Sequence, residues 1–273
     1  MSGRTFEETV AAALAGEFGP DPKDARVCAA FGTRQTVRHH GRQTGYRNEV
    51  LSLRLGASVG SCAVAPGTLT DDLLDACTGA SVARLLDDHA RHVRVAALDA
   101  YLMEVSPHGS AAGAVPVTVP AGSSLERSTA RARVVVDLLD PVPGSTVLVV
   151  GVVNSLLAEI RSRGARVIPC DLAGGRTEEG EPVVTDALAA LPHCDTVLAT
   201  GMTLGNGTFE PLRVRALALG RPLVMFAQTG SAVLPRFLGD GVTAVCAEPY
   251  PFFWLDGGAG VLHTYRAPIG ALA

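Results

Sequence analysis

The second half of the chain alternates short apolar runs with helical segments, and this rhythm constrains the fold more than any other feature. The first run, at 145–151, ends in glycine, and a helical segment at 153–164 follows it. Further apolar runs lie at 166–171, 181–186, 194–201, 221–230 and 241–248. Continuous apolar strands that alternate with helices form a parallel sheet with both faces covered. The pattern therefore predicts an α/β fold with six parallel strands and further helices at 208–219 and 231–239.

The first half of the chain has a different pattern. A helical segment at 5–15 precedes three β-like runs with glycine-bearing turns, which predict a small antiparallel sheet. The pattern turns helical from Thr68, and residues 106–122 are rich in Gly, Ala and Pro, as expected of a linker. We therefore expect a small α+β domain at 1–122 and a Rossmann-like ligand-binding domain at 123–273.

Composition excludes several classes of protein. The 273 residues carry a formal net charge of −4, which argues against a nucleic-acid-binding protein, since such a protein shows a basic face. No apolar stretch approaches the ~18 residues of a membrane span. The N-terminal segment has acidic residues and no signal-peptide core, so a cytoplasmic location is expected. The six cysteines are scattered without a CxxC pair, which is typical of buried thiols.

Ligands of parallel α/β sheets bind at the carboxyl ends of the strands, and this rule selects the candidate cofactor-binding residues. These residues are Gly151, Asn154, Asp171, Asp186, Thr200, Gly201, Thr229 and Ser231. A carboxylate at Asp171 is placed to accept hydrogen bonds from both hydroxyls of a ribose. A second one at Asp186 could accept from an adenine amino group. The alternative is that both aspartates cap the segments that follow them.

Two acids in this arrangement indicate an adenosyl ligand. The first loop, GVVNS, lacks the GxGxxG pattern that cradles a diphosphate, which argues against NAD and FAD. S-adenosylmethionine has no diphosphate, and residues 182–201 resemble the middle of class I methyltransferases. The sequence thus predicts an enzyme that binds S-adenosylmethionine for group transfer, or for intramolecular cleavage or cyclisation of that ligand.

The candidate catalytic residues come from two places. Asn206 and Thr208, in the unusual stretch TGMTLGNGT, would hold the reacting or amino-acid end of the ligand. Tyr46 would line the cleft against the Rossmann-like domain, as could Arg47, Glu49, Tyr250 and Trp254. The alternative for the aromatic stretch 250–254 is a place in the core or at a dimer interface. His263 is expected to be an ordinary strand residue.

The rival interpretation is a protein that binds a metal or a metal chelate without catalysis. His89 and His92 are spaced to share one helix face, whereas the adjacent His39 and His40 would point to opposite faces of a strand. No motif of high metal specificity is present, and no resident metal is expected. A small-molecule substrate and a second copy of the chain are the expected partners. A dimeric scaffold that binds neither ligand is a third possibility.

Three stretches of the sequence carry a family resemblance: TGMTLGNGTFEPL, VMFAQTGSAVLPRFLGDGVTAV and GGAG. They resemble the putative heavy-metal chelation family, over roughly residues 141–266. Thr200-Gly201 and then Asn206-x-Thr208 match the family pattern, whereas Thr229-Gly230-Ser231 stands where the family usually has Gly-Pro-Ser. The resemblance implies a Rossmann-like C-terminal domain behind a domain similar to the enolase N-terminal domain.

Overall fold

A computed structural model describes residues 4–38, 45–88 and 90–268. The strands in these ranges are β1 (Ala29–Val37), β2 (Tyr46–Leu55), β3 (Ser58–Val64), β4 (Val115–Val119), β5 (Thr146–Val150), β6 (Arg166–Cys170), β7 (Thr196–Thr200), β8 (Leu223–Ala227), β9 (Ala244–Ala247) and β10 (Gly260–Arg266). The helices are α1 (Phe6–Leu14), α2 (Asp71–Cys77), α3 (Val82–Leu86), α4 (Arg91–Val105), α5 (Ser124–Leu139), α6 (Asn154–Ser162), α7 (Ala187–Ala190), α8 (Met202–Asn206) and α9 (Phe209–Ala218).

The larger of two sheets has seven strands in the order β4-β10-β9-β8-β7-β5-β6. Strands β5 to β9 are parallel to one another, while β10 pairs antiparallel with both β9 and β4. The smaller sheet is antiparallel in the order β1-β2-β3. The α/β fold predicted from the sequence, with a mostly parallel sheet behind a small antiparallel one, is confirmed.

Both faces of the large sheet are covered, which explains why its strands are apolar throughout. Val147 and Val149 of β5 belong to a core shared with α5 and α6, whereas Leu148 between them belongs to the core on the opposite face. This second core continues without a break into the small sheet and α4. Alternate side chains of one strand point to opposite faces, so a doubly covered strand must be apolar at every position.

Helix α4 lies directly across the small sheet. A Cβ atom at Gly60 of β3 would overlap the backbone of Ala100 and come within 2.5 Å of the Ala96 carbonyl oxygen. Glycine is therefore needed at this position for the backbones of strand and helix to meet. The close approach fixes Asp99, the neighbour of Ala100, against β3.

Three predicted elements are wrong. Residues 181–186 are not a strand: Val184 makes one isolated bridge with Cys170 because a glycine-rich turn at 174–180 folds the segment back. The expected linker at 106–122 contains β4, whose backbone pairs with β10 of the large sheet. The expected helix at 231–239 is only a 3-10 turn, Leu234–Phe237, with a proline near its start. The domain boundary at residue 122 stays a prediction.

No helix in the described part of the chain is long and apolar enough to cross a membrane.

Candidate functional site

Asp171 lies at the carboxyl end of β6 and joins two strand-end loops. Its Oδ1 accepts a hydrogen bond from the Ala173 amide at 3.0 Å, and its Oδ2 accepts a long one from the Val152 amide at 3.4 Å. Asn154 begins α6 beside this loop, and no side chain caps the amides of that helix start. The carboxylate thus lies where the carboxyl ends of β5 and β6 meet.

The neighbouring end of β7 is tightly packed. Gly151 has a φ of +90°, and a Cβ on it would come within 2.6 Å of Cγ2 of Thr200. A Cβ on Gly201 would overlap the Thr229 carbonyl oxygen. Both glycines therefore permit close contact between strand-end loops. Since β5 lies between β6 and β7, Gly151 and Thr200 mark the crevice where the sheet reverses its winding, which is the usual ligand position in this architecture.

Asp186 caps a helix. Its Oδ1 accepts hydrogen bonds from the amides of Leu188 and Ala189, at 2.9 and 3.0 Å, in the first turn of α7. This is the structural alternative considered for Asp186. Contact with an adenine stays a prediction.

Asn206 and Thr208 bond to each other in the turn between α8 and α9. The Asn206 Oδ1 accepts from the Thr208 amide at 3.0 Å and from its hydroxyl at 2.7 Å. Arg91, at the start of α4, packs near the intervening Gly207 and donates to the Leu204 carbonyl. The turn therefore faces the start of α4, and a catalytic role for this pair stays a prediction.

Thr229 and Ser231 are buried where the loop after β8 meets the edge of β3. The Thr229 hydroxyl accepts from the Ala63 amide at 2.8 Å, and the Gly230 amide donates to the Ser61 carbonyl at 3.0 Å. Thr229 and Ser231 are 3% and 1% exposed. The hydrogen bonds of Thr229 and of the Gly230 amide hold the small sheet against the large one.

Alternate residues of β1 and β2 form a surface that we call the cleft face: Phe31, Thr33, Gln35, Tyr46 and Asn48. The Phe31 ring contacts the Tyr250 ring edge-to-face at 5.3 Å. At the other end of the face, Tyr46 interacts electrostatically with Arg131 and Glu248, and burial raises the pKa of its phenol. The cleft face therefore lies over the carboxyl ends of β8 and β9.

Three buried polar atoms at this junction have no hydrogen-bond partner among the described residues. They are Thr33 Oγ1, Gln35 Nε2 and Gln228 Nε2. Gln228 accepts from the Trp254 indole at 3.4 Å through its Oε1, which leaves its amide nitrogen as a donor without an acceptor. Unpaired buried polar groups are rare and costly in folded proteins, so each of these atoms is a candidate for contact with a polar ligand.

Two arginines of α5 hold the aromatic segment 250–254 beside the cleft face. Arg131 pairs with Glu248 at 2.5 Å, with both side chains less than 10% exposed, and Glu248 also accepts from the Phe253 amide at 3.0 Å. Arg127 donates to the carbonyls of Phe253 and Asp256. The segment is therefore a fixed wall, formed by Tyr250, Phe252 and Trp254 in successive ring contacts.

Arg47 and Glu49 do not line the cleft, contrary to expectation. They alternate with Tyr46 and Asn48 along β2 and so point to the opposite face of the sheet. There Glu49 bonds to Arg47 at 2.5 Å and to the Gly67 amide at 3.1 Å. Burial tends to raise the pKa of Glu49, but the Gly67 amide and the arginines Arg47 and Arg34 outweigh it and lower the pKa.

The metal candidates are dispersed. His39, His40 and His89 lie outside the described residues, and burial lowers the pKa of His92. Cys28 is exposed and the other five thiols are buried, with burial raising the pKa of Cys170 to about 11. Among residues 4–38, 45–88 and 90–268 no group of three His, Cys, Asp or Glu side chains could hold a metal ion.

Sequence reasoning missed most of the cleft. Thr33 and Gln35 alternate with charged or small residues along β1, a pattern that also fits a solvent-exposed strand. Arg127 and Arg131 are four residues apart on α5, which is typical of one helix face, but nothing in the sequence places that face at the strand ends. The missed positions depend on the docking of the two sheets.

Comparisons with known proteins agree with this fold. A crystal structure of a DUF364 protein of unknown function from Desulfitobacterium hafniense matches with a TM-score of 0.63 and 16% identity, covering 96% of this chain and 99% of that one. A second DUF364 protein of unknown function, from Pyrococcus horikoshii, matches with a TM-score of 0.54 and 14% identity, covering 90% of this chain and 88% of that one. No curated protein matches the chain.

The family resemblance found in the sequence motifs is confirmed: residues 134–246 match the model of the DUF364 family, described as putative heavy-metal chelation.

Proposed function

We propose that this protein is an enzyme that binds an adenosyl ligand, S-adenosylmethionine, across the carboxyl ends of β5, β6 and β7. Its reaction would be group transfer, or an intramolecular cleavage or cyclisation of that ligand. The observation that carries the proposal is the position of Asp171, whose carboxylate joins the loops after β5 and β6. A carboxylate at this point of a parallel sheet accepts the two hydroxyl groups of a ribose.

The cleft face supplies the other half of the proposed site. A ligand that extends from Asp171 past Thr200 toward β8 would bring acceptor atoms to the amide nitrogen of Gln228. It would also meet Gln35 and the aromatic wall at Trp254. Burying polar donors without partners is unfavourable, and ligand acceptors would satisfy them.

The single tryptophan of the chain makes binding measurable, because the Trp254 indole donates to Gln228 at the proposed site. We expect S-adenosylmethionine to change Trp254 fluorescence and to release or absorb heat in calorimetry. Asp171→Asn should weaken binding at least tenfold, because a hydrogen bond to a charged group contributes about 1.5–3 kcal/mol.

The matched control is Asp195→Asn. Asp195 accepts from the Thr146 amide at 2.8 Å at the start of β5, the amino end of the sheet, so its substitution should leave the dissociation constant unchanged. Absence of heat and of a fluorescence change with the wild-type protein would refute the proposal. Equal weakening by both substitutions would show that Asp171 acts only through the fold.

A metal chelate is the second candidate ligand, because it too could satisfy the unpaired donors of the cleft. The carboxylate oxygens of a chelator would satisfy the amide nitrogens of Gln35 and Gln228 without any protein ligand to the metal. Metal analysis of untagged protein, together with native mass spectrometry, separates the two candidates. A stoichiometric metal that leaves with a small organic molecule would support the chelate, and an adenosyl mass would support the first proposal.

The small-molecule substrate, the homodimer and the cytoplasmic location expected from the sequence stay predictions.

A further inference from the structure

Four buried polar side chains link helix α4, the loop after β8, the segment after α4 and strand β10. They are Asp99, Ser231, His108 and Tyr265, which are 1%, 1%, 3% and 4% exposed. The Ser231 hydroxyl lies beside the Asp99 carboxylate, where it acts to lower the pKa of that group. His108 reaches Ser231 Oγ through Nε2 at 3.4 Å, and the Tyr265 hydroxyl through Nδ1 at 2.6 Å. The four side chains therefore form one continuous series of polar contacts inside the protein.

The ionised Asp99 carboxylate at one end of this series fixes the donor and acceptor of each hydrogen bond in it. An ionised Asp99 can only accept, and it does so from the amides of Ser61 at 2.9 Å and Ala232 at 2.7 Å as well as from Ser231. Ser231 then donates its one hydroxyl hydrogen to Asp99, so its oxygen must accept from His108 Nε2. A neutral imidazole carries a single proton, so Nδ1 accepts from the Tyr265 hydroxyl.

We infer that these four residues form a directional hydrogen-bond relay that positions the loop 228–233, and that protonation of Asp99 reverses the direction of the whole relay. A protonated Asp99 donates to Ser231 Oγ, and Ser231 donates to His108 Nε2. The imidazole proton then sits on Nδ1 and faces the Tyr265 oxygen, whose own hydrogen turns away. One proton is gained, on Asp99, and His108 remains neutral in both forms.

The surroundings of the relay leave Asp99 as its titrating member near neutral pH. Burial raises the pKa of Asp99 to about 7, against the lowering effect of its hydrogen-bond donors, and the Cys62 thiol faces it. Burial, together with His263 stacked at 5.1 Å, lowers the pKa of His108 to about 4. Burial raises the pKa of Tyr265 to about 12, although Arg236 beside it acts in the opposite sense.

One member of the relay, Ser231, lies in the loop that carries Gln228. The protonation of buried Asp99 is therefore connected to the cleft. Ser231 and Ala232 bond to Asp99, and Gln228 lies three residues before Ser231 and bonds to Trp254. The relay stands independently of which ligand the cleft binds.

The test is the tautomer of His108, measured by two-bond proton–nitrogen spectra of protein labelled with ¹⁵N-histidine. The His108 signals are identified by their loss in His108→Gln. We expect the Nε2–H tautomer well above the pKa of Asp99 and the Nδ1–H tautomer well below it. Trp254 emission should change with the same midpoint.

Substitutions distinguish a relay from a purely structural contact. Asp99→Asn removes the titrating proton and should leave His108 in a single tautomer at every pH above the His108 pKa of about 4. Ser231→Ala should abolish the pH-dependent change, and Ser231→Thr, which keeps the hydroxyl, should restore it. The inference is overturned if wild-type His108 keeps one tautomer across the range, or if the change persists unaltered in Ser231→Ala.

Discussion

Two adjacent polar residues at the start of the loop after β8 are buried in opposite ways. Thr229 is buried with its hydroxyl bonded to the Ala63 amide, whereas the amide nitrogen of Gln228, one residue earlier, is buried without a partner in the described structure. Both residues follow the carboxyl end of β8, and the rule that ligands bind at such strand ends would select both of them. Only the hydrogen bonds show that Thr229 joins the sheets and that the amide nitrogen of Gln228 has no partner among the described residues.

The same contrast extends across the carboxyl edge. Asp186, Asn206, Thr208 and Ser231 all bond to protein groups of their own turn, helix start or buried relay. The unpaired groups instead come from both sheets, as Gln35 and Gln228 do. Substitutions separate positions whose polar groups hold the fold from positions whose polar groups are unpaired.

The largest loss of stability is expected for Arg131→Met. It leaves the Glu248 carboxylate buried without its partner, which costs about 3–5 kcal/mol of unfolding free energy. Urea unfolding measures the loss. The control is Arg4→Met, which removes the exposed pair with Glu17 and should cost less than about 1 kcal/mol. Similar losses in both variants would mean that the Arg131 pair does not hold the wall.

Asp99 is expected to make stability fall as the pH rises. Burial raises its pKa to about 7 in the folded protein, against the ordinary aspartate value of 3.8, so the folded state binds the proton more tightly. The contribution is fully present below pH 3.8 and is lost as the pH rises through about 7, by an amount on the order of 4 kcal/mol.

The comparison with Asp99→Asn isolates this contribution. His108, whose lowered pKa acts in the opposite sense between about 4 and 6.5, is present in both proteins and cancels. The unfolding free energy of the wild type minus that of the variant should therefore fall from acid to neutral pH. A difference that is independent of pH would show that Asp99 does not titrate in this range.

A moderate effect is expected for Asp186→Ala, which removes the cap of α7 and should cost about 1 kcal/mol. If Asp186 only caps this helix, Asp186→Asn should keep most of the stability, because Asn caps equally well. Calorimetry of ligand binding decides the second role: a weaker affinity in Asp186→Asn with unchanged stability would establish adenine contact.

The sequence predicts the large sheet well because each buried strand can be recognised from its own residues, which form a continuous apolar run that ends in a turn. It fails at residues 181–186 because an apolar run cannot show that a glycine-rich turn will fold it back. It fails at β4 because that edge strand, VPVTV, contains a proline and is largely exposed.

The site is less predictable for a physical reason. The carboxyl-edge rule finds Asp171 and the crevice at Gly151, since strand ends follow from the strands. The pairing of Arg131 with Glu248 depends on how α5 packs beyond the strand ends, and the burial of Gln35 depends on how the two sheets pack together. Such packing depends on the shapes of the surfaces that meet, as where Gly60 of β3 lets the backbone of Ala100 in α4 approach. The local sequence pattern of one strand or helix does not contain this information.

The most direct test of the account compares Gln228→Met with Thr229→Val by urea unfolding. Thr229→Val leaves the Ala63 amide unpaired and should cost about 1–3 kcal/mol, whereas Gln228→Met removes an unpaired donor together with only the long 3.4 Å bond from the Trp254 indole and should cost clearly less. An equal loss in the two variants would contradict the claim that Thr229 holds the sheets together while Gln228 is free for a ligand.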